Sequence, residues 1–517
     1  MIKQHLIKIV VLIVLFLLSA CTVPVQTENS AADSGMAAVE ADDSATRGVL
    51  QMPHFLYWNG QESLDPASPV DFTNATILLY DRLVRLDADG VPQPELATAW
   101  HANDDATEWT FTLREDVTFH DGKAFSSADV AYTFEHILDP DFASPLLATL
   151  GLIEAIETPD TQTIVFQLNQ GHADFPLLLI ERRAAIIPEG SSETINTSGI
   201  GTGPFVLENL DVEGVTVFRA NDNYWKGISQ LAGIELFALA DAEARTTAAL
   251  AGQADILLDV TPDQVALFDG NDDFTILRFS SGRWTTLVMR TDTPPFDDVM
   301  VRQAMRLVAD RQEIINLVLD GEGTVSCDTP VSPADAYRRN DDCEQDIEQA
   351  KALLAEAGYA DGLEVTLYAA NIDPQLIPLA EVYQQQAAQA GITVNIEIMP
   401  PDSYWSEVWM VQPFVTSYWN ERTADQVLNE GWRSGAAWNE SFFQNAEFDQ
   451  LLDAARTELD FEQRQATYQA AQQMLLDEGG NLIPYHVNQF YVVRSNIVGV
   501  SARSWFHMDW HTIQKSE

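Results

Sequence analysis

Arg422 and Asp425 stand three residues apart in a stretch that also carries Trp405, Trp409, Trp419, Trp432, Trp438 and Asn439. A guanidinium offers a planar fork of donors that suits a carboxylate or a phosphate, while a carboxylate suits an ammonium group. The pair could grip a zwitterion from both ends, or neutralise one another at a surface. Indole faces offer large apolar area and hold cations or sugar rings at small entropic cost; the same rings could equally fill a core. Asn439, beside Trp438, adds a donor and an acceptor. All of this is recognition chemistry. Bond-making chemistry is missing: there is no Gly-x-Ser-x-Gly elbow, phosphate loop or His-Glu-x-x-His. Gly199, Gly201 and Gly203 lead into Pro204 and a strand, so they read as a tight turn and not as a dinucleotide loop, which needs a helix there. His507, Asp509 and His511 imitate a metal set, but no predicted helix fixes their geometry. No enzymatic turnover, no metal and no cofactor is expected.

The N-terminal residues suggest the compartment. Lys3 and Lys8 precede an apolar run from Ile9 to Leu18, followed by Ser19, Ala20 and Cys21. A charged start, a short apolar stretch and small residues form a secretory signal, and the run is short for a bilayer span of about 20 residues. Leu18-Ser19-Ala20-Cys21 resembles a bacterial lipobox, in which Cys21 would be acylated. The following residues, to about Thr46, are poor in large apolar types and read as a flexible tether. The chain is expected outside the cytoplasm, lipid-anchored, at the cell surface or in the periplasm. With Cys21 assigned to the lipid, Cys327 and Cys343 remain, flanking a loop with Pro330 and Pro333. In an oxidising compartment they are expected to form a disulfide, worth about 3 kcal/mol by loop-closure entropy. The formal charge of −50 argues against nucleic acid, whose phosphates would be repelled.

Elements that could position such groups alternate along the chain. Trp109, Phe111 and Leu113 share one side of a strand, and Ser126 with Asp129 starts a helix whose stripe is Val130, Phe134, Ile137 and Leu138. Strands follow at Ile164–Leu168 and around 215–218, then two helices between Asp298 and Gly321, with Asp310 and Glu313 as a capping box, and one from Ile347 to Ala357. Leu363–Leu367, a helix from about Leu376 to Ala390, and Ile392–Ile398 make a strand–helix–strand unit, which predicts a parallel pair. Helices near 448–458 and 461–476 and a final strand over Phe490–Val500 complete an α/β fold with a mixed sheet.

Several segments together resemble the family 5 extracellular solute-binding proteins, the dipeptide, oligopeptide and nickel binders of ABC importers. They are Leu64-Asp65-Pro66, the run Leu79–Val84, the stretch Thr107–Gly122 followed by Ser127–Val130, Gly201–Phe205, Asn221–Trp225, Ala251–Asp255, the run from Pro294 to Met305, and Ala350–Leu354 with Glu356–Tyr359. They occur in the family's order over nearly the whole body of the chain.

The resemblance implies a class II, two-lobed periplasmic-binding-protein-like fold with a two-strand hinge and an extra inserted subdomain. It places a signal peptide at 1–20, the tether at 21–47, lobe I at 48–85, 205–290 and 486–517, the inserted subdomain at 86–204, and lobe II at 291–485. The ligand would be enclosed as the lobes close. Peptide binders of the family hold the ligand's amino group with an aspartate of the second lobe, and Asp425 takes the place of the last aspartate in that stretch. Arg422, Trp419, Trp438, Asn439 and Trp405 would surround it; Trp58 and Asn59 would face it from lobe I, and Trp284 follows the first hinge crossing. The resemblance implies a monomer that hands a peptide to permease subunits and touches the membrane through its lipid alone. A short oligosaccharide or a chelated metal are alternative ligands, and a secreted α/β hydrolase is the alternative of another class.

Overall fold

The structure, a computed structural model, describes residues 47–516 except 56, 57, 59, 88, 89 and 259. The leader, the tether up to residue 46, Cys21 and Asn59 lie outside the described residues. Separate apolar cores define the lobes. In lobe I the strand Val49–His54 runs parallel to Gly233–Ala238, which pairs antiparallel with Val215–Ala220 and through it with Phe205–Asn209. This sheet buries Leu50, Ile234 and Leu236 in one core with the helix Thr73–Leu79 and the C-terminal Trp505 and Trp510.

A second core belongs to the four-stranded sheet Ala97–Ala102, Glu108–Leu113, Thr163–Leu168 and Ile153–Asp160. Trp109, Phe111 and Leu113 point inward along one strand, as their period of two requires. The helix Ser127–Leu138 covers them; Ser126 and Asp129 make the capping box at its start. Phe111, Phe134 and Phe166 are fully buried there, each worth about 1.5–3 kcal/mol in transfer from water.

The largest sheet joins the lobes. Its path runs through Ile256–Leu257, Tyr485–Arg494, Phe274–Met289, Phe414–Trp419, Leu363–Ala370 and Ile392–Met399. The strand Phe274–Met289 is 16 residues long. Its first half pairs with Tyr485–Arg494 and its second half with Phe414–Trp419, and the register shifts between Ser280 and Trp284. This pair of strands is the connection between lobes. In lobe II, Leu363–Ala370 and Ile392–Met399 are parallel, joined by the helix Leu376–Ala388. The two helices between Asp298 and Gly321 are Val299–Leu307 and Arg311–Val318, capped by Asp298 and Asp310. The final strand begins earlier than its apolar run suggests, at Tyr485, and stops at Arg494; Ser495 and Asn496 turn the chain before the short strand Ile497–Val498.

Cys327 and Cys343 are bonded, with Cα atoms 5.6 Å apart. The glycine run is a turn pressed against lobe I: a Cβ on Gly201 would lie 2.0 Å from the Leu79 carbonyl oxygen. His120 fastens the same turn, accepting from the Gly201 N–H at 3.2 Å and reaching the Gly203 carbonyl at 3.0 Å. Asp81 gathers two distant segments, accepting from the Thr202 hydroxyl in one and from the Tyr224 hydroxyl and the Trp225 indole in the other, at 2.9 Å each. Motifs far apart in sequence thus meet at one buried carboxylate, and their role is to hold lobe I together.

Candidate functional site

A cavity of about 930 Å³ opens where the lobes face one another. Clefts for small molecules span roughly 300–1,000 Å³. Lobe I supplies Trp100, Trp109 and the segment Ala502–His507; lobe II supplies Ser332–Tyr337 and Asn420–Thr423; Phe279, Ser280 and Ser281 of the joining strand form the back.

Two carboxylates stand on the lobe II wall. Glu421 follows closely on the strand Phe414–Trp419, which delivers it beside the joining strand. A Cβ on Gly282 would lie 2.3 Å from the Glu421 Cγ, so a glycine lets the side chain lie across that strand. Ser332 donates to Glu421 at 3.3 Å. The carboxylate is open to the cleft but walled by protein, and this confinement pushes its pKa up against the Ser332 bond. Asp335 accepts the N–H groups of Tyr337 and Ala424 at 2.8 and 2.9 Å. Burial pushes its carboxyl up to about 6, with these bonds opposing and with Asp174 and Glu421 adding repulsion. Among the described residues, neither Glu421 nor Asp335 has an ion-pair partner.

At the rim the lobes touch. Asp174 of the inserted subdomain accepts from the Tyr337 hydroxyl at 2.6 Å and meets Arg464 at 3.0 Å, both of lobe II. The Ala173 N–H donates to the Arg456 carbonyl, and His172 lies 3.4 Å from Asp425.

Asp425 does not line the cavity. It is 3% exposed, and its carboxylate is occupied within the protein. Arg456 donates from Nε and Nη2 at 2.8 and 2.9 Å, Asn429 at 2.8 Å and the Tyr468 hydroxyl at 3.0 Å. Burial opposes ionisation there, but the bonds from His172 and Arg456 outweigh it and hold the carboxyl well below the usual range. Arg422 does line the cavity, yet it pairs with Glu430 at 2.6 Å and not with Asp425, and its guanidinium lies against the rings of both Trp419 and Trp438. Trp284 and Trp419 are buried and stacked with centroids 5.7 Å apart, next to Trp432. Glu440, itself buried, accepts from the indoles of Trp409 and Trp419. Asn439 is buried and ties its loop to the carbonyls of Trp432 and Phe443. Trp405, Trp438 and Trp58 are well exposed but do not border the cavity. Of the residues expected from the sequence to contact a ligand, the cavity thus receives Arg422 alone among those described. Glu421, Asp335 and Arg503, which do face it, belong to no motif; Glu421 merely lies next to Arg422 in the chain. Among the described residues no cluster of His, Cys, Asp or Glu is placed to hold a metal ion, and no helix is long and apolar enough to cross a membrane.

Comparison with known proteins agrees with this architecture. Heme-binding protein A of Haemophilus influenzae is 27% identical, the match covering 86% of this chain and 88% of that one. Di/tripeptide-binding protein 1 of Pseudomonas aeruginosa is 29% identical over 64% of this chain and 68% of its own. The solved structure of HbpA2 from Haemophilus parasuis superposes with a TM-score of 0.83 at 21% identity, covering 91% of this chain and all of that one, and shares the two-lobed fold. Residues 91–449 match the model of the bacterial extracellular solute-binding proteins, family 5 Middle. With the cleft between two lobes, that match identifies the chain as a member of the family 5 extracellular solute-binding proteins.

Proposed function

We propose that the chain is the extracytoplasmic receptor of an ABC importer, closing its lobes over a short peptide and releasing it unchanged to permease subunits. The observation that carries the peptide reading is the pair Glu421 and Asp335, two carboxylates on one cleft wall that make no direct ion pair among the described residues, Arg338 acting on Asp335 only at longer range. An ammonium group supplies the missing charge through charge-assisted hydrogen bonds. Glu421, and not Asp425, is the residue assigned to that contact. The name of the Pseudomonas relative supports the same ligand class. Cys21 is the lipid anchor in this reading, and the receptor works as a monomer.

A second reading, a short oligosaccharide, draws support from Trp100, which borders the cavity and is only half-buried. A thermal-shift screen of di- to tetrapeptides, xylo- and cello-oligosaccharides and hemin separates the two. A ligand at about 100 times its Kd stabilises by about 2.7 kcal/mol. Peptides alone are expected to raise Tm; a rise with the sugars alone replaces the peptide by a saccharide.

A further inference from the structure

The C-terminal segment Ala502–His507 forms part of the lobe I wall of the cleft. It is held firmly: Trp505 is buried in the lobe I core, its N–H donates to the Tyr491 hydroxyl at 2.9 Å, and Arg82 donates to the Phe506 carbonyl at 3.1 Å. Among the described residues, Arg182, Arg422, Arg464 and Arg503 border the cavity. Arg182 pairs with Asp71, Arg422 with Glu430 and Arg464 with Asp174. Arg503 makes no ion pair among the described residues; Asp509 and Asp87 act on it only at longer range, against Arg85 and Arg82. Its Nη1 donates to the Leu86 carbonyl at 3.4 Å, and its Nε is buried without an acceptor. Further along the segment, the His507 Nδ1 is also buried without a partner. Burial, with the neighbouring charges of Arg82 and Arg503, lowers the His507 pKa to about 3, so that ring is neutral at neutral pH.

The cleft therefore has opposed walls: among the described residues, Arg503 on lobe I and Glu421 and Asp335 on lobe II make no ion pair. We infer that Arg503 receives an anionic group of the ligand, a carboxylate, while the ligand's cationic end meets Glu421 and Asp335. This deepens the reading of the cleft as the solute site and rests on it. A solute charged at both ends contacts both lobes, and a ligand drives closure only by binding the closed form better than the open one. Arg503 is placed for this because its Nη1 is held by the Leu86 carbonyl and its segment is anchored through Trp505 and Phe506.

The test measures the affinity of the mature protein for matched acid and neutral ligands by calorimetry. The panel pairs di- to tetrapeptides with their C-terminal amides, and uronic-acid oligosaccharides with neutral ones. The wild type is expected to prefer the free acid about 10- to 100-fold, as for one charge-assisted hydrogen-bonded contact. Arg503→Met is expected to abolish that preference and Arg503→Lys to keep part of it, both with an unchanged ligand-free melting temperature. Equal binding of acid and amide by the wild type overturns the assignment without any variant, while leaving the solute site standing. An acid preference that survives in Arg503→Met overturns it too. Acidic sugars bound in an Arg503-dependent way, with no peptide bound, uphold Arg503 and remove the peptide reading; binding of neutral compounds alone removes both.

Discussion

Charges approach the boundary between the lobes in two places, and the protein treats them in opposite ways. At the rim, Asp174 has Arg464 and Tyr337, and Asp425 has Arg456, Tyr468 and Asn429. In the cleft, Glu421, Asp335 and Arg503 make no direct ion pair among the described residues. The rim shows how costly an unmatched buried charge is, since both carboxylates there are surrounded by donors. The cleft keeps these three without an ion pair but within reach of solvent, while Arg182 and Arg422 on its walls are matched. A satisfied network serves the fold, and an unsatisfied one is available to a solute.

The sharpest way to break this contrast is at Asp425. Asp425→Ala leaves Arg456 without its carboxylate, and loss of one partner of a buried pair costs about 3–5 kcal/mol; urea unfolding should show a loss of that order. If Asp425 instead clamped a ligand, stability would hold and affinity alone would fall. Glu421→Gln is the converse. Peptide affinity by calorimetry should drop about 10- to 100-fold, the worth of a charged hydrogen bond, with unfolding unchanged or slightly more resistant. A Glu421→Gln protein that binds peptides normally but unfolds early would put Glu421 with the rim.

The smallest effect is a pH dependence at Asp335. Its folded carboxyl titrates at about 6, above the roughly 3.9 of an unfolded chain. Between these values the folded protein binds a proton that the unfolded chain has lost, so this group's contribution to stability is present below pH about 4 and disappears as pH rises through about 6. A bound ammonium group favours the ionised form, so peptide affinity should rise from about pH 5 to about pH 7 with proton release. Asp335→Asn should flatten that slope; a slope unchanged in the variant would assign it to another group.

Much of the scaffold was legible in the sequence because its signals are local. The alternation of Trp109, Phe111 and Leu113, the Ser126–Asp129 box and the strand–helix–strand unit from Leu363 to Met399 each depend on residues close to one another in the chain. The cleft was far less legible. Tryptophans fit a ligand or a core equally well, and only the sheet pairing of Trp284 with Trp419 sends those two indoles inward. Asp425 and Glu421 are near neighbours in one loop-and-helix segment. What separates their roles is Arg456, 31 residues downstream of Asp425, and Gly282, far upstream under Glu421. Such partners are set by tertiary contact and leave no periodic trace.

The seat of Glu421 on Gly282 has a mechanical consequence. That glycine belongs to the strand passing from one lobe to the other, inside its register shift. A group mounted at a fulcrum travels least when the arms swing, so a solute gripped there finds almost the same foothold whether the arms are spread or folded. Leverage over the swing must come from contacts made farther out along the arms.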